Sequence, residues 1–243
     1  MSARPERRGT VDEQPWVDSL FEPSAGPSPY PGSDPAPARL RLVNGGHVTL
    51  DVGGWHGALG AVDADVLSRS TGPVIDIGCG PGRHVHSLLV AGEEAIGIDV
   101  SPAAVRAARR RGVPAVHTSV WGKVPRPGHW RTALLLDGNI GIGGDPVALL
   151  RRTAELLDAA GRVIVELVSG PRPGSHLVRV EHRGRAGPWF AWALVTPSSV
   201  VDVASAAGLR VDEVWEAGKR WFAVLSVQSG AVDEQSTASG PAA

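Results

Sequence analysis

The stretch that most limits what this chain can become is Val74-Ile75-Asp76-Ile77-Gly78-Cys79-Gly80-Pro81-Gly82-Arg83. A brief apolar run with β-branched residues, closed by glycines, reads as a short buried strand that passes through a glycine loop into a helix. Glycine has no Cβ and tolerates unusual backbone angles, so a ligand can approach the main chain there. The following helix turns its unpaired N–H groups and positive dipole end back toward the loop. The result is a socket for a polar, partly anionic small molecule. The alternative is a tight strand-to-helix turn that binds nothing.

Spacing separates two cofactor families. The dinucleotide fingerprint G-x-G-x-x-G/A, started at Gly78 and Gly80, needs its third small residue at position 83, where Arg83 stands. The pattern is instead Asp76, Gly78, Gly80, Gly82 in a D-x-G-x-G-x-G series. Downstream, Ala95-Ile96-Gly97-Ile98-Asp99 is a second apolar strand ending in a carboxylate. In a Rossmann-like unit the acid after the second strand accepts from ribose hydroxyls, and Asp99 falls within the offset of about 20 residues expected of it. The competing role for Asp99 is a cap on the turn before Ser101-Pro102.

The 76–82 series resembles motif I of the class I S-adenosylmethionine-dependent methyltransferases, which often reads D-I-G-C-G-P-G. The resemblance spans about residues 55 to 228 and is specific at the glycine loop and Asp99. It implies S-adenosyl-L-methionine as cofactor and Asp76, Gly78, Cys79, Gly80, Gly82, Arg83, Asp99 and Val100 among its contacts. At the end of the third strand the family commonly has an Asp that accepts from the adenine amino group. Here Ser119 stands in that place, with Val120 beside it. A hydroxyl still accepts a hydrogen bond, but the departure touches adenine recognition. Motif IV of the family corresponds to Leu134-Leu135-Leu136-Asp137-Gly138-Asn139-Ile140-Gly141-Ile142-Gly143-Gly144. This puts Asp137, Gly138 and Asn139 near the cofactor. The later glycines either form an anion-binding nest or simply avoid clashing with the cofactor.

From Pro73 onward strands and helices alternate, as in a parallel sheet covered on both faces. Strands are expected at about 73–78, 95–99, 115–119, 132–137 and 162–168, with a closing pair at 210–217 and 220–228 turning on Gly218-Lys219. Ser101-Pro102, Asp145-Pro146 and Thr196-Pro197 each offer an N-cap oxygen before a Pro suited to the first helical position. Gly112, Gly161 and Gly208 are the matching C-terminal stops. The fold class is therefore α/β: a Rossmann-like, doubly wound, mostly parallel seven-stranded sheet with helices on both faces. In the family the last strand runs antiparallel.

Residues 1–38 are rich in Pro, Ser, Gly and charge and read as an extended or disordered arm, in which Trp16, Leu20 and Phe21 form one short docking helix. Residues 39–228 form the domain, and 229–243 a small, polar, disordered tail. A hairpin is expected over Arg39–Asp51, and a helix over about Ala61 to Ser68. Trp55 and His56 line the pocket mouth, or else serve as a core residue and a surface turn. An added hairpin at 175–195 is expected to cap the substrate side, with Trp189 and Trp192 against the acceptor; the alternative has its aromatics packing it onto the sheet.

Composition excludes several functions. Formal net charge is −1, so no electrostatic case exists for nucleic acid. The single cysteine, Cys79, excludes an internal disulfide and a multi-cysteine metal site. No apolar run reaches the ~20 residues of a membrane helix, and no secretory signal is visible, so a cytoplasmic location is the expectation. The motif IV stretch lacks the [D/N]-P-P-[Y/F] and Pro-Cys signatures of nucleic-acid enzymes. Methyl transfer needs alignment more than acid–base work, and among His56, His84, His86 and Glu166 none is singled out as a base. The expected activity is methyl transfer from S-adenosylmethionine to a small molecule, acidic or aromatic acceptors being the first to consider. The rivals are an NAD(P)-binding oxidoreductase and a catalytically silent methyltransferase-like binding module.

Overall fold

The computed structural model describes residues 17–21, 38–170 and 172–227. The expectations for Trp16, for the rest of the arm and for the 229–243 tail lie outside these residues. Chain order gives β1 (Arg39–Leu42), β2 (His47–Thr49), α1 (Val52–His56), α2 (Ala61–Leu67), β3 (Val74–Ile77), α3 (Arg83–Val90), β4 (Ala95–Asp99) and α4 (Pro102–Arg110). There follow β5 (Ala115–His117), β6 (Trp130–Leu135), α5 (Pro146–Ala154), β7 (Leu157–Leu167), β8 (Gly174–His182) and β9 (Arg185–Ala186). The chain closes with β10 (Phe190–Leu194), α6 (Val200–Ala206), β11 (Leu209–Ala217) and β12 (Arg220–Val227).

The main sheet has seven strands in the order β11-β12-β7-β6-β3-β4-β5. The β7–β6–β3–β4–β5 run pairs in parallel, and β12 pairs antiparallel with β7 and with β11. Both faces of the central strands are buried, and the pleat sorts them. Ala133 and Leu135 of β6, with Val163 and Val165 of β7, pack with Leu149, Leu150 and Ala204 of α5 and α6. Their neighbours Leu134, Leu136 and Ile164 pack with Val66, Val85 and Val105 of α2, α3 and α4. Alternate side chains on a strand point to opposite faces, so continuous apolar runs are what a doubly covered sheet requires.

The caps hold at two of the three predicted helix starts. Ser101 Oγ accepts from Ala104 N and Asp145 Oδ1 from Ala148 N, each before a Pro at the first helical positions. At the third, the helix begins later. The Thr196 carbonyl accepts from both Ser199 N and Val200 N, so 197–199 form a turn and Ser199 is the N-cap residue. Gly112 and Gly208 close their helices with φ near +81°. Gly161 does not: α5 ends at Ala154 and the chain enters β7 at once, with Leu157 paired to Trp130.

A second sheet, order β10-β8-β1-β2 with β9 beside β8, joins two segments far apart in sequence. The 39–51 hairpin and the 174–194 hairpin meet where β1 pairs antiparallel with β8, from Arg39 opposite Glu181 to Leu42 opposite Val178. Its apolar face, Leu40, Leu42, Val178, Val180, Phe190 and Leu194, packs with Ala103 and Ala104 of α4 and with Leu20 and Phe21. Those last two belong to a segment opened by a short 3-10 helix, Val17–Leu20, which Asp18 pins to α4 by accepting from Ser101 Oγ and Ala103 N.

Candidate active site

The carboxyl ends of the parallel strands and the apolar face of the second sheet enclose a cavity of about 600 Å³, within the usual range for a small-molecule site. Its floor begins at the glycine loop. Gly78 has φ +75°, and a Cβ there would lie 2.5 Å from Asn139 Nδ2. The amide needs that closeness, because Asn139 Nδ2 donates to the Ile77 and Gly78 carbonyls at 2.9 and 3.0 Å. Asn139 therefore ties the loop after β6 to the loop after β3. Cys79 is buried against Gly97, and burial pushes its thiol well up, with Asp99 and Asp76 adding to the effect. It is a packing residue with its edge on the cavity wall.

Asp99 stands at the end of β4. Its Oδ2 accepts from Gly80 N and its Oδ1 from Ser101 N, both at 2.8 Å. These bonds fix the carboxylate in one orientation, and each oxygen keeps a further lone pair for a ligand hydroxyl. Burial raises the Asp99 pKa to about 6 against the two backbone bonds, and the charges of Asp76 and Asp18 push the same way as burial. Beyond it, Val100, Thr118, Ser119 and Val120 continue the wall. Ser119 Oγ already accepts from Trp121 N at 3.2 Å, which leaves its proton free to donate.

On the other side of β3 the floor is ionic. Arg83 donates to Asp63 at 3.2 Å and to both Asp137 oxygens at 2.8 and 2.9 Å. Arg220 donates to both Glu166 oxygens at 2.8 and 2.7 Å and to Asp63 at 2.7 Å. Below them His84 lies 3.5 Å from Asp76 and 3.8 Å from Asp63, as ion pairs. Burial alone would lower the His84 pKa, but the two carboxylates outweigh it and hold it at about 9. Burial likewise opposes ionisation of Asp63, yet His84, Arg220 and Arg83 keep it far below the usual carboxylate range. In Asp137 burial wins and the pKa is raised, although His84, Arg83 and Arg220 oppose it.

Most of the sequence-derived cofactor residues line this one cavity: Gly78, Cys79, Gly80, Arg83, Asp99, Val100, Ser119, Val120, Asp137, Gly138 and Asn139. Two do not. Asp76 faces away, fully buried toward His84. Gly82 is the left-handed residue that opens α3, and it faces Val113 and Ala108. Trp55 and Trp192 line the cavity, whereas His56 and Trp189 do not. The His56 carbonyl accepts from Arg111, and Trp189 is 43 % exposed with Arg179 over its ring at 4.9 Å. Of the later motif IV glycines, Gly141 and Gly144 face the second sheet and Gly143 faces Trp121. A Cβ on Gly141 would lie 2.3 Å from Trp192 Nε1 and 2.4 Å from the Ala193 carbonyl; on Gly144 it would lie 2.6 Å from Ala191 Cβ.

Sequence reasoning missed Asp63, Arg220, Leu20 and Phe21 as wall residues, whereas Phe190 comes from the aromatic run of the expected cap. None of the missed residues sits in a motif; each arrives by tertiary packing. A Cβ on Gly80 would lie 3.4 Å from the Phe21 ring, which stacks on Trp55 at 6.0 Å between centroids. Among the described residues there is no cluster of His, Cys, Asp and Glu suited to a metal, and no helix long and apolar enough to cross a membrane.

Residues 74–125 match a methyltransferase-domain family model. A search of curated proteins finds no match. Among solved structures, an S-adenosylmethionine-dependent methyltransferase from Bacteroides fragilis, crystallised with S-adenosyl-L-homocysteine, superposes with a TM-score of 0.69. It is 19 % identical, over 90 % of this chain and 97 % of that one. The Burkholderia thailandensis 1,6-didemethyltoxoflavin-N1-methyltransferase gives 0.54 at 18 % identity, over 73 % of this chain and 81 % of that one. The CcbJ methyltransferase from Streptomyces caelestis gives 0.54 at 15 % identity, over 71 % and 92 %. The chain thus shares the fold of these S-adenosylmethionine-dependent methyltransferases, and the segment that carries its glycine loop is the one that matches the methyltransferase-domain model.

Proposed function

We propose that this protein transfers the methyl group of S-adenosylmethionine to a small, largely apolar or aromatic acceptor. The observation that carries the reading is the continuity of one cavity from Asp99 and Ser119, across the glycine loop, to Phe190, Trp192 and Leu194 of the second sheet. The residues fit the cofactor in chemistry. Asp99 offers a fixed acceptor for a ribose diol. Val100, Ser119 and Val120 offer an apolar slot with one hydroxyl for a base. Asp137, Gly138 and Asn139 offer polar groups for an amino-acid end.

The cofactor, when bound, supplies an activated methyl on a sulfonium. The chain supplies alignment and exclusion of water, which account for much of such a rate. Leu40, Val48, Leu50 and Val180 close the cavity from the second sheet, and Leu20 and Phe21 from the 17–21 segment. His84 is charged between two carboxylates and is not available to take a proton, so no base is assigned.

An aromatic acceptor fits better than an acidic one, because the two guanidiniums on the wall are already paired with carboxylates. A small acceptor is also in keeping with the 1,6-didemethyltoxoflavin enzyme among the similar structures. A silent binding module would need no room beyond the cofactor, and the half of the cavity under the second sheet speaks against it.

The test is calorimetric titration of the purified protein with S-adenosylhomocysteine, with NAD and NADP in parallel. Binding of the first alone at micromolar concentration is expected. Dinucleotide binding without it, or silence from all three, overturns the reading.

A further inference from the structure

Arg220 lies on the antiparallel strand β12, outside the parallel strands whose ends form the glycine loop and Asp99. Even so, its guanidinium reaches three other elements at the floor. It grips both oxygens of Glu166 at the end of β7, Asp63 on α2 at 2.7 Å, and Asp137 after β6 at 3.4 Å. Glu166 Oε2 in turn accepts from the Asp137 backbone N–H at 2.7 Å. Asp137 sits there at φ +55°, a left-handed conformation uncommon for a residue with a side chain. Its carboxylate is clamped by Arg83 and opens on the cavity. Arg220 therefore holds the partner that holds Asp137, and balances one more negative charge beside it.

The strand order fixes which part of a ligand meets this group. Asp99 and Ser119 lie at the ends of β4 and β5, on one side of β3. Asp137, Glu166 and Arg220 lie on the other side, over β6, β7 and β12. A nucleoside held by Asp99 must extend its non-nucleoside end across the glycine loop toward the ionic floor. The Asp137 carboxylate, which opens on the cavity, suits an end that carries an ammonium group, as an α-amino acid does. We infer that Arg220 is a positioning residue for the amino-acid end of the bound nucleoside, acting through Glu166 and Asp137. The inference rests on the cofactor reading given above.

The experiment compares two ligands on the full chain: S-adenosylhomocysteine, and 5′-methylthioadenosine, which keeps the nucleoside and sulfur but lacks the amino-acid end. Calorimetry on Arg220→Met should show S-adenosylhomocysteine weakened by about tenfold or more, with methylthioadenosine within about twofold of the unaltered protein. Arg220→Lys should recover part of the loss, since it restores charge but not the two-pronged grip on Glu166. In an Asp137→Asn background, Arg220→Met should cost little more, because residues that act through one another are not additive. Equal weakening of both ligands, unchanged S-adenosylhomocysteine affinity, or full additivity with Asp137→Asn would each overturn the inference. Should Arg220→Met fail to fold, Arg220→Lys carries the same ligand comparison. Failure of the unaltered protein to bind S-adenosylhomocysteine at all would sink the cofactor reading first, and this inference with it.

Discussion

His84 ties the stability of this protein to pH in a direction opposite to that of a buried histidine kept neutral. It is 3 % exposed, yet it sits between the carboxylates of Asp76 at 3.5 Å and Asp63 at 3.8 Å. The folded protein holds its pKa at about 9, against an ordinary value of 6.5. A folded pKa above the unfolded one means that the folded state binds the proton more tightly. The stabilisation is therefore fully present below pH 6.5 and is lost as pH rises through about 9. The difference corresponds to about 3 kcal/mol, a substantial part of a typical domain's stability. The perturbation is His84→Gln, which cannot titrate, and the assay is urea unfolding of both proteins from about pH 6 to about pH 10. The stability gap between them should shrink by about 3 kcal/mol across that range. A gap constant to within about 0.5 kcal/mol would refute the reasoning, since it would mean that His84 carries no extra proton in the folded state.

Asp99→Ala should weaken S-adenosylhomocysteine by about 1–3 kcal/mol in calorimetry, as for a lost buried hydrogen-bond partner; unchanged affinity would remove Asp99 from the ribose role. In the unaltered protein the same affinity should fall as pH drops below about 6, where Asp99 takes up a proton and loses acceptor capacity. Gly141→Ala drives a methyl into the Ala193 carbonyl and the Trp192 indole, and should destabilise by about 1–3 kcal/mol in urea unfolding. Unaltered stability would show that the loop after β6 is not seated against the second sheet as described.

The chain itself determined the elements whose signals are local. The apolar run at 74–77 with its glycines reads as a strand and turn, because the β-branched run favours extended backbone and Gly78, Gly80 and Gly82 take positive φ without a Cβ clash. Ser101-Pro102 and Asp145-Pro146 announce helix starts within four residues, as does the 218–219 turn for the closing hairpin. Asp99 followed from its distance to the loop. Where a local signal competed with packing, the signal lost. Gly161 looked like a helix stop, but β7 had to begin at Leu157 to pair with Trp130 on the edge of β6. Asp76, His56 and Trp189 carried the right residue types for a site but do not line the cavity, and Gly82 packs against Val113 and Ala108.

Only the tertiary structure decided the rest. Pairing Arg39–Leu42 with Val178–Glu181 joins strands about 140 residues apart, and no residue in either hairpin names its partner, since edge pairing depends on shape and burial that arise after collapse. The ionic floor is the same case. Asp63, Asp137, Glu166 and Arg220 come from four parts of the chain; motif IV points to Asp137, but Asp63 and Arg220 alone read as ordinary surface charges. They become one unit because a buried charge is tolerated only where partners arrive with it, and the strand order brings those partners to one end of the sheet.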